Sequence, residues 1–182
     1  MKTVRASARH ERAIDATADL LARLRLDFLF VGNVARAGWL GKPVESGSLD
    51  VLALMAPPQK NQVAMMASHR GFRVDRDEIE QAAELDLIPL NFLDPEGEIR
   101  VHVLVASNAL YGRMVPMGTE AELGERRFKI AAAEDLALLL AVADDAASHH
   151  DREMLIRLPE FDRPAYNRRL VSIGLSHLVI AE

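Results

Sequence analysis

Apolar positions along the chain change spacing several times, and each change predicts an element. Between about residues 8 and 26, Ile14, Leu21 and Leu24 recur at helical spacing while Arg9, Glu11, Asp19 and Arg23 fall largely elsewhere. That is the pattern of an amphipathic helix covering one face of a sheet. Phe28-Leu29-Phe30-Val31 is a continuous apolar run, as in a central strand buried on both faces. Gly32-Asn33 then turns the chain into a helix over Val34 to Leu40. Gly41, Lys42, Pro43 and Gly47 mark a loop, and Leu49 to Met55 is a second strand-like run interrupted by Asp50.

Pro57-Pro58 opens a helix predicted to reach about Arg70, with Val63 and Met66 inward and Gly71 as its stop. Phe72 to Asp75 reads as a short edge strand and Arg76 to Glu84 as a short acidic helix. Leu87 to Leu93 and Ile99 to Val105 flank Asp94-Pro95-Glu96-Gly97-Glu98, which predicts a β-hairpin. In its second arm Ile99, Val101, Val103 and Val105 alternate with Arg100, His102 and Leu104, so His102 shares a face with Arg100. Residues 108–114 read as a helix and Phe128-Lys129-Ile130 as a last strand. From Ala133 the pattern is helical: Glu134 to Ala147, His149 to Leu158 and Arg163 to Ile173, the last with Asp162 as N-cap and Gly174 as stop. Trp39, Met65 and Met66 are assigned to the core. The whole is one α/β domain (α+β mixed sheet): about residues 1–130 form the sheet with flanking helices, and about 131–182 a helical layer.

Composition narrows the function more than the fold. With 182 residues, 49% apolar and 27% charged, the chain is an ordinary globular protein. Its 22 basic and 27 acidic residues give a net charge of −5, and without a long basic block nucleic acid is disfavoured as an obligate partner. The lack of cysteine removes disulfides, zinc thiolate sites and thiol catalysis. The N-terminal MKTVRASARHER has no apolar core of a signal peptide, and no apolar run reaches membrane-spanning length, so the expectation is a cytoplasmic protein with no membrane association. Walker loop, GxGxxG, nucleophile elbow and paired-histidine zinc motifs are all missing.

What chemistry remains is concentrated at a few positions. Asp50, inside an apolar strand, needs a partner, a metal or solvent. It reads either as a metal or substrate ligand or as a carboxylate hydrogen-bonded at a strand end. His102 is either a metal ligand or base, or a plain surface strand residue. Gly32-Asn33 at a helix start, with Arg36 in its first turn, can hold an anion or can serve turn geometry alone. His149-His150-Asp151 resembles a metal cluster only at first sight, since adjacent helical residues point about 100° apart; it is assigned to a solvated face. The pairs Arg126-Arg127 and Arg168-Arg169 are too short to argue for nucleic acid.

Four pieces in order, Gly32-Asn33, Ser46-Gly47-Ser48-Leu49-Asp50, Arg100-Val101-His102-Val103 and Glu134-Asp135-Leu136, resemble the nucleotidyltransferase superfamily. The likeness is to the minimal members and the small bacterial proteins of abortive-infection toxin systems, and it spans about residues 28–156. The resemblance implies a nucleotidyltransferase-like fold with a C-terminal helical layer. It also implies two carboxylates on one strand and a third on its neighbour, holding Mg or Mn that positions a nucleoside triphosphate for in-line attack. Those positions fall on Ser48, Asp50 and His102, the phosphate turn falls on Gly32 and Asn33, and the lysine that follows the Glu-Asp-Leu piece falls on Leu140. Only Asp50 is acidic. As a metal ligand it would stand alone or with His102.

Three functions follow from the resemblance. The first is a catalytically degenerate binding or regulatory module for a nucleotide, a protein partner or a second copy of the chain, with no required cofactor. The second is a divergent Mg- or Mn-dependent transferase passing a nucleoside monophosphate from a triphosphate. The third is a toxin–antitoxin or abortive-infection component.

Overall fold

The computed structural model describes residues 1–143 and 145–180, in two compact units, Met1–Ala131 and a helical unit from Ala132 onward. Strands of the first unit are β1 (Lys2–Thr3), β2 (Phe28–Phe30), β3 (Leu49–Ala53), β4 (Phe72–Arg73), β5 (Leu87–Asp94), β6 (Gly97–Val105), β7 (Thr119–Leu123) and β8 (Arg126–Ile130). Its helices are α1 (Ala8–Arg23), α2 (Gly32–Leu40), α3 (Pro57–Ser68), α4 (Arg76–Ala82), continued by a 3-10 turn at Ala83–Leu85, and α5 (Ala109–Met114).

Among the described residues the strands form one mixed sheet in the order β1-β7-β8-β2-β3-β6-β5-β4. The two apolar runs, β2 and β3, lie antiparallel at its centre; β2 runs parallel to β8, and β3 parallel to β6. Leu29, Phe30, Leu49, Val51 and Ala53 are fully buried, as central strands covered on both faces require. β6 keeps the alternation of its sequence: Ile99, Val101, Val103 and Val105 are buried, while His102 and Leu104 are half-buried and Arg100 is exposed. α1 buries Ala13, Ile14, Leu20 and Leu21, whereas Leu24 lies at its C-cap and is only half-buried. On its outer side Arg12 grips the hairpin turn, donating to both carboxylate oxygens of Asp94 at 2.7 and 3.0 Å and to Glu96 at 3.1 Å.

Several expectations need correction. β1 and β7 carry no clear apolar signal, because β7 turns only Ala121 and Leu123 inward between Thr119, Glu120 and Glu122; it forms by antiparallel pairing with β8. α2 begins at Gly32 itself, not at Val34. Met65 is 62% exposed rather than core, since α3 buries only the Val63 and Ala67 stripe, and Met66 is half-buried. Trp39 is half-buried, its indole N–H donating to the carbonyl of Ala131 at 2.8 Å with the Lys2 ammonium 4.1 Å above the ring.

The second unit contains α6 (Ala133–Ala143), α7 (Ala146–Ile156) and α8 (Arg163–Ser172). The single helix expected over Glu134 to Ala147 is broken: α6 ends at Ala143, and α7 starts anew with Asp145 as N-cap, accepting from the Ser148 amide at 2.9 Å. A local cap overrides helix propensity there; Asp144 lies outside the described residues. Asp162 caps α8 by accepting from the Ala165 amide at 2.8 Å. Asp135, 2% exposed, accepts from Arg169, and buried Tyr166 stacks edge-on against Phe161 and accepts from Arg152 at 2.6 Å. Asp151 is buried rather than solvated, while His149 and His150 are exposed. No helix among the described residues is long and apolar enough to cross a membrane.

Candidate functional site

Parallel pairing of β3 with β6 sets Asp50 directly opposite His102. Both side chains leave the same face of the sheet, as residues in register must, and His102 Nδ1 lies 2.8 Å from Asp50 Oδ1. Ser48, two residues earlier on the same side, donates its hydroxyl to the same oxygen at 3.3 Å. A carboxylate only accepts, so the shared hydrogen belongs to Nδ1, and in the neutral form of the ring the lone pair is on Nε2. The His102 and Asp50 side chains are 31% and 26% exposed, so both reach solvent.

The other oxygen of Asp50 faces the start of α2. Gly32 has φ +50°, and a Cβ placed there would stand 2.6 Å from Asp50 Oδ2. Glycine is therefore required twice, for its backbone conformation and for the approach of the carboxylate. The Val31 amide donates to the Asp50 carbonyl at 2.9 Å, locking the strand end against the turn. Asn33 does not face outward to an anion; its side-chain amide donates to the carbonyls of Ser48 at 3.2 Å and Ser46 at 3.5 Å, tying the loop to α2. Arg36 is half-buried and one turn further along α2. Thus Asp50, Ser48, His102, Gly32 and Asn33 come together in the fold, with Asn33 in a supporting role.

Arg100 was assigned to this face but not to the site. It stands two residues before His102 on β6, about 6.6 Å away along a strand, and its Nη1 donates to Glu78 at 2.7 Å and to Asn91 Oδ1 at 3.2 Å. Asn91, 6% exposed, is its register partner on β5. The alternation of β6 identified the face, but Asn91 could be found only from the hairpin register.

The residues present do not fit magnesium. That ion wants oxygen ligands in near-octahedral geometry, whereas this site offers one carboxylate, a hydroxyl and an imidazole. One oxygen of the carboxylate is already held by the imidazole and the hydroxyl, and the other lies against Gly32. Among the described residues no group of three or more His, Asp or Glu side chains is arranged to hold a metal. Leu140, at the position where the resemblance places a lysine, is 4% exposed in α6.

Neither a protein-family model nor a curated protein matches the chain. Among solved structures, an antigenic nucleotidyltransferase-like protein from Paracoccidioides brasiliensis superposes with a TM-score of 0.51 at 13% identity, covering 93% of this chain and 90% of that one. A cytoplasmic RNA terminal U-transferase gives 0.38 at 13% identity, with 76% of this chain matched to 41% of that protein. Cid1 in complex with the UTP analogue UMPNPP gives 0.40 at 11% identity, with 88% matched to 54%. The first superposition extends over nearly the whole of both chains: the chain has the nucleotidyltransferase-like fold.

Proposed function

We propose that this chain is a nucleotide-binding module of nucleotidyltransferase-like fold that has lost metal-dependent nucleotidyl transfer. One observation carries the reading. Where the resemblance calls for three carboxylates around a divalent cation, Asp50 is instead closed into a hydrogen-bonded set with His102 at 2.8 Å and Ser48 at 3.3 Å. A neutral imidazole and a hydroxyl supply neither the charge nor the hard oxygen ligands that magnesium needs. The glycine turn against Asp50 and the open face around His102 keep the form of a ligand site.

Thermal unfolding with ATP, GTP, CTP and UTP, each with EDTA, Mg2+ or Mn2+, tests this. A ligand at 100 times its Kd stabilises the native state by about 2.7 kcal/mol, or roughly 5 to 10 °C for a chain of this size. The expected result is a rise in Tm with at least one nucleotide that persists in EDTA. No rise with any nucleotide refutes the proposal, and pyrophosphate release that requires Mg2+ or Mn2+ refutes the loss of transfer in favour of a divergent transferase. Ser48→Asp with His102→Asp restores three carboxylates, and Mn2+ affinity rises if these residues share one site.

A further inference from the structure

The Asp50–His102 pair has a chemical capacity separate from metal binding. We propose that His102 Nε2 is a nucleophile toward the phosphoanhydride of a bound nucleotide, so that the chain forms a covalent phosphoramidate on itself without a metal ion. The proposal rests on the nucleotide-binding reading above. Nδ1 lies 2.8 Å from the Asp50 carboxylate, which selects the tautomer of the neutral ring that has its lone pair on Nε2. Among the described residues Nε2 has no hydrogen-bond partner, and the side chain is 31% exposed. Imidazoles in this state form covalent intermediates, activated by a neighbouring group that orients them.

Ser48 donates its hydroxyl to the same Asp50 oxygen at 3.3 Å. Arg100, on the same face of β6, is ion-paired with Glu78. Its Nη1 is held by Glu78 and Asn91, which fixes the guanidinium while Nε and Nη2 keep their donors.

The step balances within the chain and the nucleotide. The Nε2 lone pair forms a P–N bond, the anhydride P–O bond breaks, and its electron pair leaves on the departing phosphate oxygen. Nδ1 retains its proton, and the positive charge that develops on the ring faces the Asp50 carboxylate. No base and no redox partner is needed.

The test incubates the full chain with ATP labelled at the α- or the γ-phosphorus, in EDTA, and reads intact mass and bound label. The expected product is an adduct that is lost in acid and kept in alkali, as a phosphoramidate is; which label is retained identifies the phosphorus attacked. His102→Gln abolishes the adduct, while its far-UV circular dichroism stays that of the parent chain. Asp50→Asn lowers the limiting rate of labelling and leaves the ATP concentration for half-maximal rate unchanged, a split that a general loss of structure would not produce. A chain that gains Tm with ATP but takes no label overturns the inference and leaves the binding reading standing. Absence of both overturns both, and label that survives His102→Gln or requires Mg2+ overturns the inference alone.

Discussion

Replacing Gly32 with alanine probes the contact on which the site is built. The backbone there has φ +50°, and the added Cβ would lie 2.6 Å from Asp50 Oδ2. A left-handed conformation costs a residue with a Cβ about 1–2 kcal/mol, and the steric overlap adds about 1–3 kcal/mol, as for other insertions into packed sites. Relief requires Asp50 to move, which breaks its 2.8 Å bond to His102. Gly124→Ala separates the two contributions: its φ is +56°, and nothing lies within 4 Å of the Cβ it would gain, so it carries the backbone part alone. Urea unfolding followed by fluorescence suits the measurement, because the chain has a single tryptophan, Trp39, and it lies in the sheet unit. Gly32→Ala is expected to lose about 2–5 kcal/mol and Gly124→Ala about 1–2 kcal/mol. In an Asp50→Ala background the excess at Gly32 should vanish, since the colliding oxygen is gone. Equal losses for the two glycine variants, or an excess that persists without the Asp50 carboxylate, would refute the steric account.

Two further predictions concern other parts of the chain. Asp162→Ala removes the acceptor for the Ala165 amide at the start of α8 and should destabilise the helical unit by about 0.5–2 kcal/mol, measured by urea unfolding followed by circular dichroism. His10, 1% exposed on α1 with Nδ1 2.8 Å from the Ser7 hydroxyl, has its pKa lowered from 6.5, chiefly because burial disfavours the charged ring. The unfolded chain therefore takes up this proton first, so the contribution of His10 is complete above pH 6.5 and declines as pH falls through the lowered value. A pH series of unfolding midpoints should show this decline and His10→Gln should flatten it; the same slope in the variant would assign the effect elsewhere.

Much of the architecture is legible because it depends on local pattern. Phe28 to Phe30 and Leu49 to Ala53 are buried strands because an unbroken apolar run can be satisfied only where both faces are covered. The hairpin of β5 and β6 follows from its turn residues, and Asp162 caps α8 because a side-chain carboxylate satisfies an exposed helix amide wherever it falls. β7 was invisible for the complementary reason: two inward residues between acidic ones are too few to signal a strand until β8 supplies its partner. The break at Asp145 was hidden by good helix formers on both sides, and only the bond from the Ser148 amide reveals it.

Asp50 is marked by its polarity in an apolar strand and His102 by its place in an alternating one, so the sequence by itself singles out both as candidates and puts His102 on the face of Arg100. It did not determine that they meet. They stand 52 positions apart, and their contact depends on the parallel register of β3 with β6, in which a slip of one residue would send the two side chains to opposite faces. That register depends on packing on both sides of the sheet, between residues far apart in the chain, which no local pattern encodes.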